Sequence, residues 1–70
     1  MNLRGLKEGH WYKLTFNDGT TELCRILSYE SEADSPDGIE GVFVEIENVE
    51  LEGGEIEVLA NEVTAAELAR

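Results

Sequence analysis

The residues best suited to covalent or acid/base chemistry are His10 and Cys24, each of which occurs once in the chain. A histidine-based dyad or triad must use His10, which stands before an aromatic pair at the start of a predicted strand. Cys24 lies within an apolar run, which favours a buried thiol over an exposed nucleophile. Their spacing is not that of a Cys–His nucleophile pair, so the sequence predicts no catalytic residues and no enzymatic activity.

Carboxylates are abundant, with 16 Asp and Glu residues, so two at acid/base distance would occur by chance. Asp34, Asp37 and Glu40 could gather around a hard cation, but they lack the alternating aspartates of a calcium loop. The sequence also lacks zinc-type Cys/His spacing, a Walker A loop and a GxGxxG motif. We therefore expect no metal site and no cofactor.

The charge of the chain is unevenly distributed. Five Lys and Arg against 16 Asp and Glu give a net charge of −11, and Arg70 is the only basic residue after position 29. Binding to DNA or RNA phosphates needs a basic footprint, so direct nucleic-acid binding is not expected. A confined acidic region predicts a partner with a basic surface.

The length predicts a single domain, residues 1–70, with a small hydrophobic core. Alternating apolar residues predict a first strand over residues 10–17. The Asp18-Gly19 dipeptide that follows predicts a two-residue type I′ hairpin, because both positions tolerate a positive φ. That turn places Leu14 opposite Leu23.

The second predicted strand, residues 21–29, has apolar residues on both faces. In so short a chain, this pattern indicates a bent central strand shared by two sheets of a small barrel. Residues 31–38 have the composition of a loop, and residues 41–48 predict a third strand. A shift in its alternation near Asn48 predicts a bulge or a bend.

The remaining turn and helix signals complete the predicted fold, which is mainly β. Gly53-Gly54 predicts a second hairpin turn. Thr64 and Glu67 form a capping-box pattern that predicts a short C-terminal helix over residues 65–70. The expected architecture is a small, bent, five-stranded barrel with this helix at its end.

The second hairpin places Glu50 opposite Glu57 and Glu52 opposite Glu55, on one acidic face. Alternate residues on a strand are about 6.6–7 Å apart, close to the phosphate repeat of one nucleic-acid strand. The strip therefore fits a basic protein surface and could imitate nucleic acid to a nucleic-acid-binding protein. The predicted partner-binding residues are Glu45, Glu47, Glu50, Glu52, Glu55, Glu57 and, as an aromatic anchor on the same face, Phe43.

The acidic composition and the edge strands of the predicted sheet also allow other interpretations. The acidic residues also fit a plain solvated surface or adaptation to salt. One cysteine cannot form an internal disulfide, which favours a reducing, cytoplasmic compartment, and no apolar run is long enough to predict membrane insertion. Unpaired edge strands allow a homo-oligomer through sheet augmentation.

Two segments carry a family resemblance. The run Tyr-Lys-Leu-Thr-Phe-Asn-Asp-Gly-Thr at residues 12–20, with Cys-Arg-Ile-Leu at 24–27, resembles the first motif of Sm-like proteins, and residues 58–63 are similar to the second. The resemblance implies an Sm-like or SH3-like barrel and, as an alternative function, an RNA-binding or ring-forming protein. The family's RNA-binding residues are missing, because the loop before strand three has no asparagine and Leu59-Ala60 replaces the basic residue and glycine. Only Asn61 matches.

Overall fold

The computed structural model describes all 70 residues and is built almost entirely of β-strands. Its only helices are 3-10 turns of three residues, none of which could cross a membrane. The strands are β1 (Trp11–Phe16), β2 (Thr21–Glu30), β3 (Gly41–Ile46), β4 (Ile56–Leu59) and β5 (Val63–Leu68), and the 3-10 turns are Glu32–Asp34, Glu52–Gly54 and Ala60–Glu62.

The five strands form one antiparallel sheet in the order β4-β3-β2-β1-β5, which confirms the predicted mainly β, five-stranded fold. The edge strands β4 and β5 are joined by only three residues, Ala60–Glu62. The sheet must therefore curl to bring its two edges close together. Backbone hydrogen bonds hold this closure: Ala60 donates to Glu40 at 2.9 Å, and Asn17 donates to Glu62 at 3.1 Å.

The β1–β2 hairpin differs from its prediction by one residue. Leu14 lies opposite Glu22 and not opposite Leu23, and Tyr12 lies opposite Cys24. The Gly19 amide donates to Phe16 at 2.9 Å, and Gly19 alone in this turn has a positive φ, of 85°. The loop is therefore a type I turn followed by a left-handed glycine, which needs one residue more than the type I′ turn.

The bend of β2 comes from an extra residue. Ile26 pairs with Val44 and Ser28 pairs with Phe43, so Leu27 has no partner on β3. A bulge of this kind bends the strand and increases its twist. Cys24 and Ile26, which share one face of β2, are fully buried, whereas Leu23 and Leu27 are only partly buried.

The predicted C-terminal helix is wrong, because residues 63–68 form β5. This strand pairs with β1, with Lys13 opposite Glu67 and Leu14 opposite Ala66. A helix of six residues has little stability of its own. The free edge of β1 offers a full set of backbone hydrogen bonds instead, so tertiary pairing outweighs the capping signal.

The predicted β3–β4 hairpin around Gly53-Gly54 is also wrong in its register. β3 ends at Ile46, and Phe43 pairs with Glu57, so the connection spans residues 47–55. The shift in alternation marks the end of the strand, where Asn48 adopts a left-handed φ of 62°. The sequence predicts a bulge or a bend at this position, and the structure has a turn there, in which the Val49 amide donates to the Ile46 carbonyl at 3.2 Å.

The core is closed by a segment outside the sheet. Leu3 is fully buried although it belongs to no strand. Its amide donates to Glu40 Oε1 at 2.9 Å, and the Met1 ammonium donates to the Ala60 carbonyl at 2.8 Å. The N-terminal arm thus covers the end of the sheet where β3 begins. The buried core residues are Leu3, Tyr12, Leu14, Cys24, Ile26, Val42, Val44, Val58, Ala60 and Val63.

Candidate acidic interaction surface

The six predicted glutamates do not form one strip along two paired strands. Glu45 lies on β3 and Glu47 just follows it, whereas Glu57 lies on β4. The other three, Glu50, Glu52 and Glu55, lie in the β3–β4 connection. The expected cross-strand pairs Glu50–Glu57 and Glu52–Glu55 are therefore absent, since Glu57 lies opposite Phe43.

Two of the predicted glutamates are neutralised within the protein. Glu45 Oε1 lies 3.0 Å from Arg25 Nε, and Glu47 forms an ion pair with Arg70. Both guanidinium groups lie near the Trp11 ring, that of Arg70 at 4.7 Å and that of Arg25 at 5.9 Å from its centroid. This face of the sheet therefore carries a nearly balanced set of charges, with cation–π contacts at its centre.

A close pair of carboxyl groups lies over Gly41. Glu30 is the partner of Gly41 on β2, and a Cβ added to Gly41 would lie only 2.9 Å from Glu57 Oε2. The missing side chain at Gly41 thus leaves room for the two acids to meet. Glu30 Oε1 and Glu57 Oε2 are both shielded from solvent, and no amide, hydroxyl or basic group of the protein donates a hydrogen bond to either oxygen.

This arrangement raises the pKa of Glu57 to about 7, from an ordinary value of 4.5. The main cause is a side-chain hydrogen bond with Glu30, followed by burial and by the negative charges of Glu30, Asp37 and Glu62. Near neutral pH, Glu57 therefore shares a proton with Glu30, because two adjacent carboxylates cannot both ionise cheaply. Four carboxyl groups, those of Glu57, Glu30, Asp37 and Glu62, thus lie close together, and no lysine or arginine pairs with them.

The other three predicted glutamates are free and exposed. Glu50, Glu52 and Glu55 form no salt bridge. Glu55 has an extended backbone, with φ −152° and ψ 161°, and leads directly into β4. Alternate residues of an extended segment share a face, so Glu55 and Glu57 point to the same side. We call seven carboxylates that form no salt bridge the acidic surface: Glu57 and the acids around it, Glu30, Asp37 and Glu62, together with Glu50, Glu52 and Glu55 of the segment that leads into β4.

Phe43 lies beside this surface. It is half-buried and occupies the position between Ser28 and Glu57 across the sheet. Its neighbours Val42 and Val44 are buried on the opposite face. The sequence prediction placed Phe43 on the same face as the glutamate strip; in the structure its neighbour on β4 is Glu57, which the sequence prediction paired with Glu50.

Cys24 and His10, the two groups considered for covalent or acid/base chemistry, do not belong to the acidic surface. Cys24 is fully buried, and burial raises the pKa of its thiol to about 11, so the reactive thiolate is disfavoured. His10 is exposed. Glu40 accepts hydrogen bonds from the Leu3 amide and the Tyr29 hydroxyl, and no three His, Cys, Asp or Glu residues are arranged to hold a metal ion.

The Glu30–Glu57 pair predicts a specific dependence of stability on pH. Because the folded protein raises the pKa of Glu57 from 4.5 to about 7, its contribution is fully present below pH 4.5 and is lost as the pH rises through 7. Glu57→Gln removes this titration, so the variant gains stability relative to the wild type above pH 7, by about 1 kcal/mol after solvent screening.

Urea unfolding of both proteins across this pH range measures the difference. The matched control is Glu55→Gln, which removes the same charge from an exposed position. Its difference from the wild type is expected to lack the rise between pH 4.5 and about 7. Parallel pH profiles for wild type and Glu57→Gln would show that the two carboxyl groups do not share a proton.

Comparisons of the chain with family models, curated proteins and solved structures found no match.

Proposed function

We propose that the protein is a non-catalytic binding module whose acidic surface engages a basic surface of a partner protein. The observation that carries this proposal is that no basic side chain pairs with any residue of the acidic surface. Three of the five basic side chains, Lys13, Arg25 and Arg70, pair with carboxylates on the face around Trp11. No salt bridge reaches the acidic surface.

Like charges gathered without a cation repel one another, and this repulsion adds to the hydrogen bond with Glu30 and to burial in raising the pKa of Glu57. Lysine or arginine side chains of a partner would supply the missing cations. Their approach favours the ionised form of Glu57, so binding is accompanied by release of the proton shared with Glu30. The complementary potentials would also speed association with basic partners.

Imitation of a nucleic-acid backbone is the narrower form of this proposal. Its support is the charge alone, because the regular spacing expected along two paired strands is absent. A basic partner whose natural ligand is nucleic acid would then release that ligand on binding the module. Competition between the protein and a nucleic acid for such a partner distinguishes the narrower form from the general one.

The salt dependence of binding tests the proposal. We expect a fluorescent oligolysine to bind at low ionic strength and to lose affinity steeply as salt approaches physiological concentration, because screening weakens exposed charge pairs. Fluorescence anisotropy measures the affinity, and an oligoglutamate of equal length is the control that should not bind. Affinity that is indifferent to salt would contradict an electrostatic interface.

A further inference from the structure

A groove lies between Trp11 and the β3–β4 connection, on the side where Glu45 and Glu47 are neutralised. Its volume is about 620 Å³, and four apolar residues line it: Trp11, Ile46, Val49 and Leu51. Val49 is 49% exposed, which leaves an aliphatic surface open to solvent. A cavity of this size accommodates a side chain of a partner protein.

The β3–β4 connection that forms one wall is held by local hydrogen bonds. The Val49 amide donates to the Ile46 carbonyl at 3.2 Å, and the Gly54 amide donates to the Leu51 carbonyl at 2.9 Å. These two turns fix the backbone on either side of the apolar residues. The groove is therefore part of the folded structure and need not be formed by the partner.

The charged residues that line the groove are all acidic. Glu45, Glu47 and Glu50 line it, and no lysine or arginine does. Glu50 has no salt bridge, so it is free to pair with an incoming cation. The contact of Arg70 with both Trp11 and Glu47 shows that a guanidinium group is accommodated at the edge of this groove.

We propose that this groove receives one aliphatic side chain of the basic partner, flanked in the partner's sequence by lysine or arginine residues. The aliphatic side chain covers Val49 and Leu51, and a flanking cation pairs with Glu50. This inference rests on the proposed function, which it deepens by naming a recognition element. The acidic surface supplies attraction to any basic chain, whereas the groove selects a basic chain with an apolar residue.

Two short peptides test the proposal. Each is capped at both ends; one is Lys-Lys-Leu-Lys-Lys, and the other has serine in place of leucine. At low ionic strength we expect the leucine peptide to bind at least about fivefold more tightly, because it buries an aliphatic side chain. It should also shift the NMR signals of the Trp11 indole, Val49 and Leu51.

Two variants separate the groove from the rest of the surface. Val49→Ser is expected to remove the preference for leucine while oligolysine binding is retained. Leu68→Ser is the matched control, because Leu68 is also apolar and 61% exposed but does not line the groove. That variant should keep the preference.

The possible failures are distinguishable. If both peptides bind equally and shift only residues of the acidic surface, the groove proposal is overturned and the proposed function stands. If neither peptide nor oligolysine binds at low ionic strength, both are overturned. If the Val49 signals shift with protein concentration alone, the groove is an interface between two copies of the chain and the peptide proposal is overturned.

Discussion

Leu3→Ala is expected to lower the free energy of unfolding by about 3 kcal/mol. Leu3 is fully buried, and its side chain packs with the core although it lies before the first strand. Truncation to alanine leaves a cavity at the end of the sheet where the N-terminal arm meets Glu40 and Ala60. A domain of this size has a total stability of only about 3–10 kcal/mol, so the loss is a large fraction of it.

Urea unfolding followed by circular dichroism measures this effect. Leu68→Ala is the control, since Leu68 is 61% exposed and its truncation should change stability by less than about 0.5 kcal/mol. Leu3→Val, expected to cost about 1 kcal/mol, keeps the test quantitative if the alanine variant is largely unfolded. A loss below about 1 kcal/mol for Leu3→Ala would mean that the arm is not part of the core.

The position of Leu3 could not be predicted from the sequence, because it stands alone between polar and small residues and has no strand or helix periodicity. By contrast, β1 and most of β3 were predictable from their alternating apolar residues, and β2 from the apolar run that follows a hairpin turn. Apolar residues that recur at a regular spacing indicate that one face of a strand or helix is buried. A single core residue in an irregular segment leaves no such pattern.

Register was the property that sequence reasoning determined least well. Asp18-Gly19 gives a strong hairpin signal, but the two-residue and three-residue loops that suit it differ by one position. A shift of one residue moves every cross-strand partner. The error at Gly53-Gly54 was larger: β3 ends at Ile46 and does not continue to the glycines, so the expected glutamate pairs are absent.

The C-terminal segment shows why a local signal can fail. Thr64 and Glu67 match a capping box, but the segment lies beside the unpaired edge of β1. The competing partner is more than 45 residues away in the sequence, so no local pattern reveals it. Alternation of Val63 and later small residues was too weak to indicate a strand.

The candidate site was predictable in its charge and only partly in its members. The excess of acids after position 29 follows directly from the sequence. Glu30, Asp37 and Glu62 were missed, because their proximity to Glu57 depends on the register of β2 and β3 and on the curl of the sheet. The pairing of Glu45 and Glu47 with arginines was missed for the same reason.

Neutralising the exposed part of the acidic surface is expected to have the largest effect on binding. Glu50→Gln, Glu52→Gln and Glu55→Gln together change three exposed residues that form no salt bridge, so the fold should be retained. If each exposed charge pair with a basic ligand contributes about 0.5 kcal/mol, their loss weakens binding about tenfold.

The matched control changes the same number of charges elsewhere. Glu8→Gln, Glu22→Gln and Glu32→Gln alter exposed residues that form no salt bridge and lie outside the acidic surface. Both triple variants have the same net charge, so long-range attraction to a cation is reduced equally in the two. Any difference between them therefore reports the location of the charges.

Titration of fluorescent oligolysine into the wild type and these two triple variants, at one low ionic strength, measures whether the acidic surface is a localised binding site. We expect the affinity to be about tenfold weaker for the variant altered at residues 50, 52 and 55, and to change by less than about threefold for the control. Equal weakening of both variants would show that oligolysine responds to overall charge, and would contradict a localised binding surface.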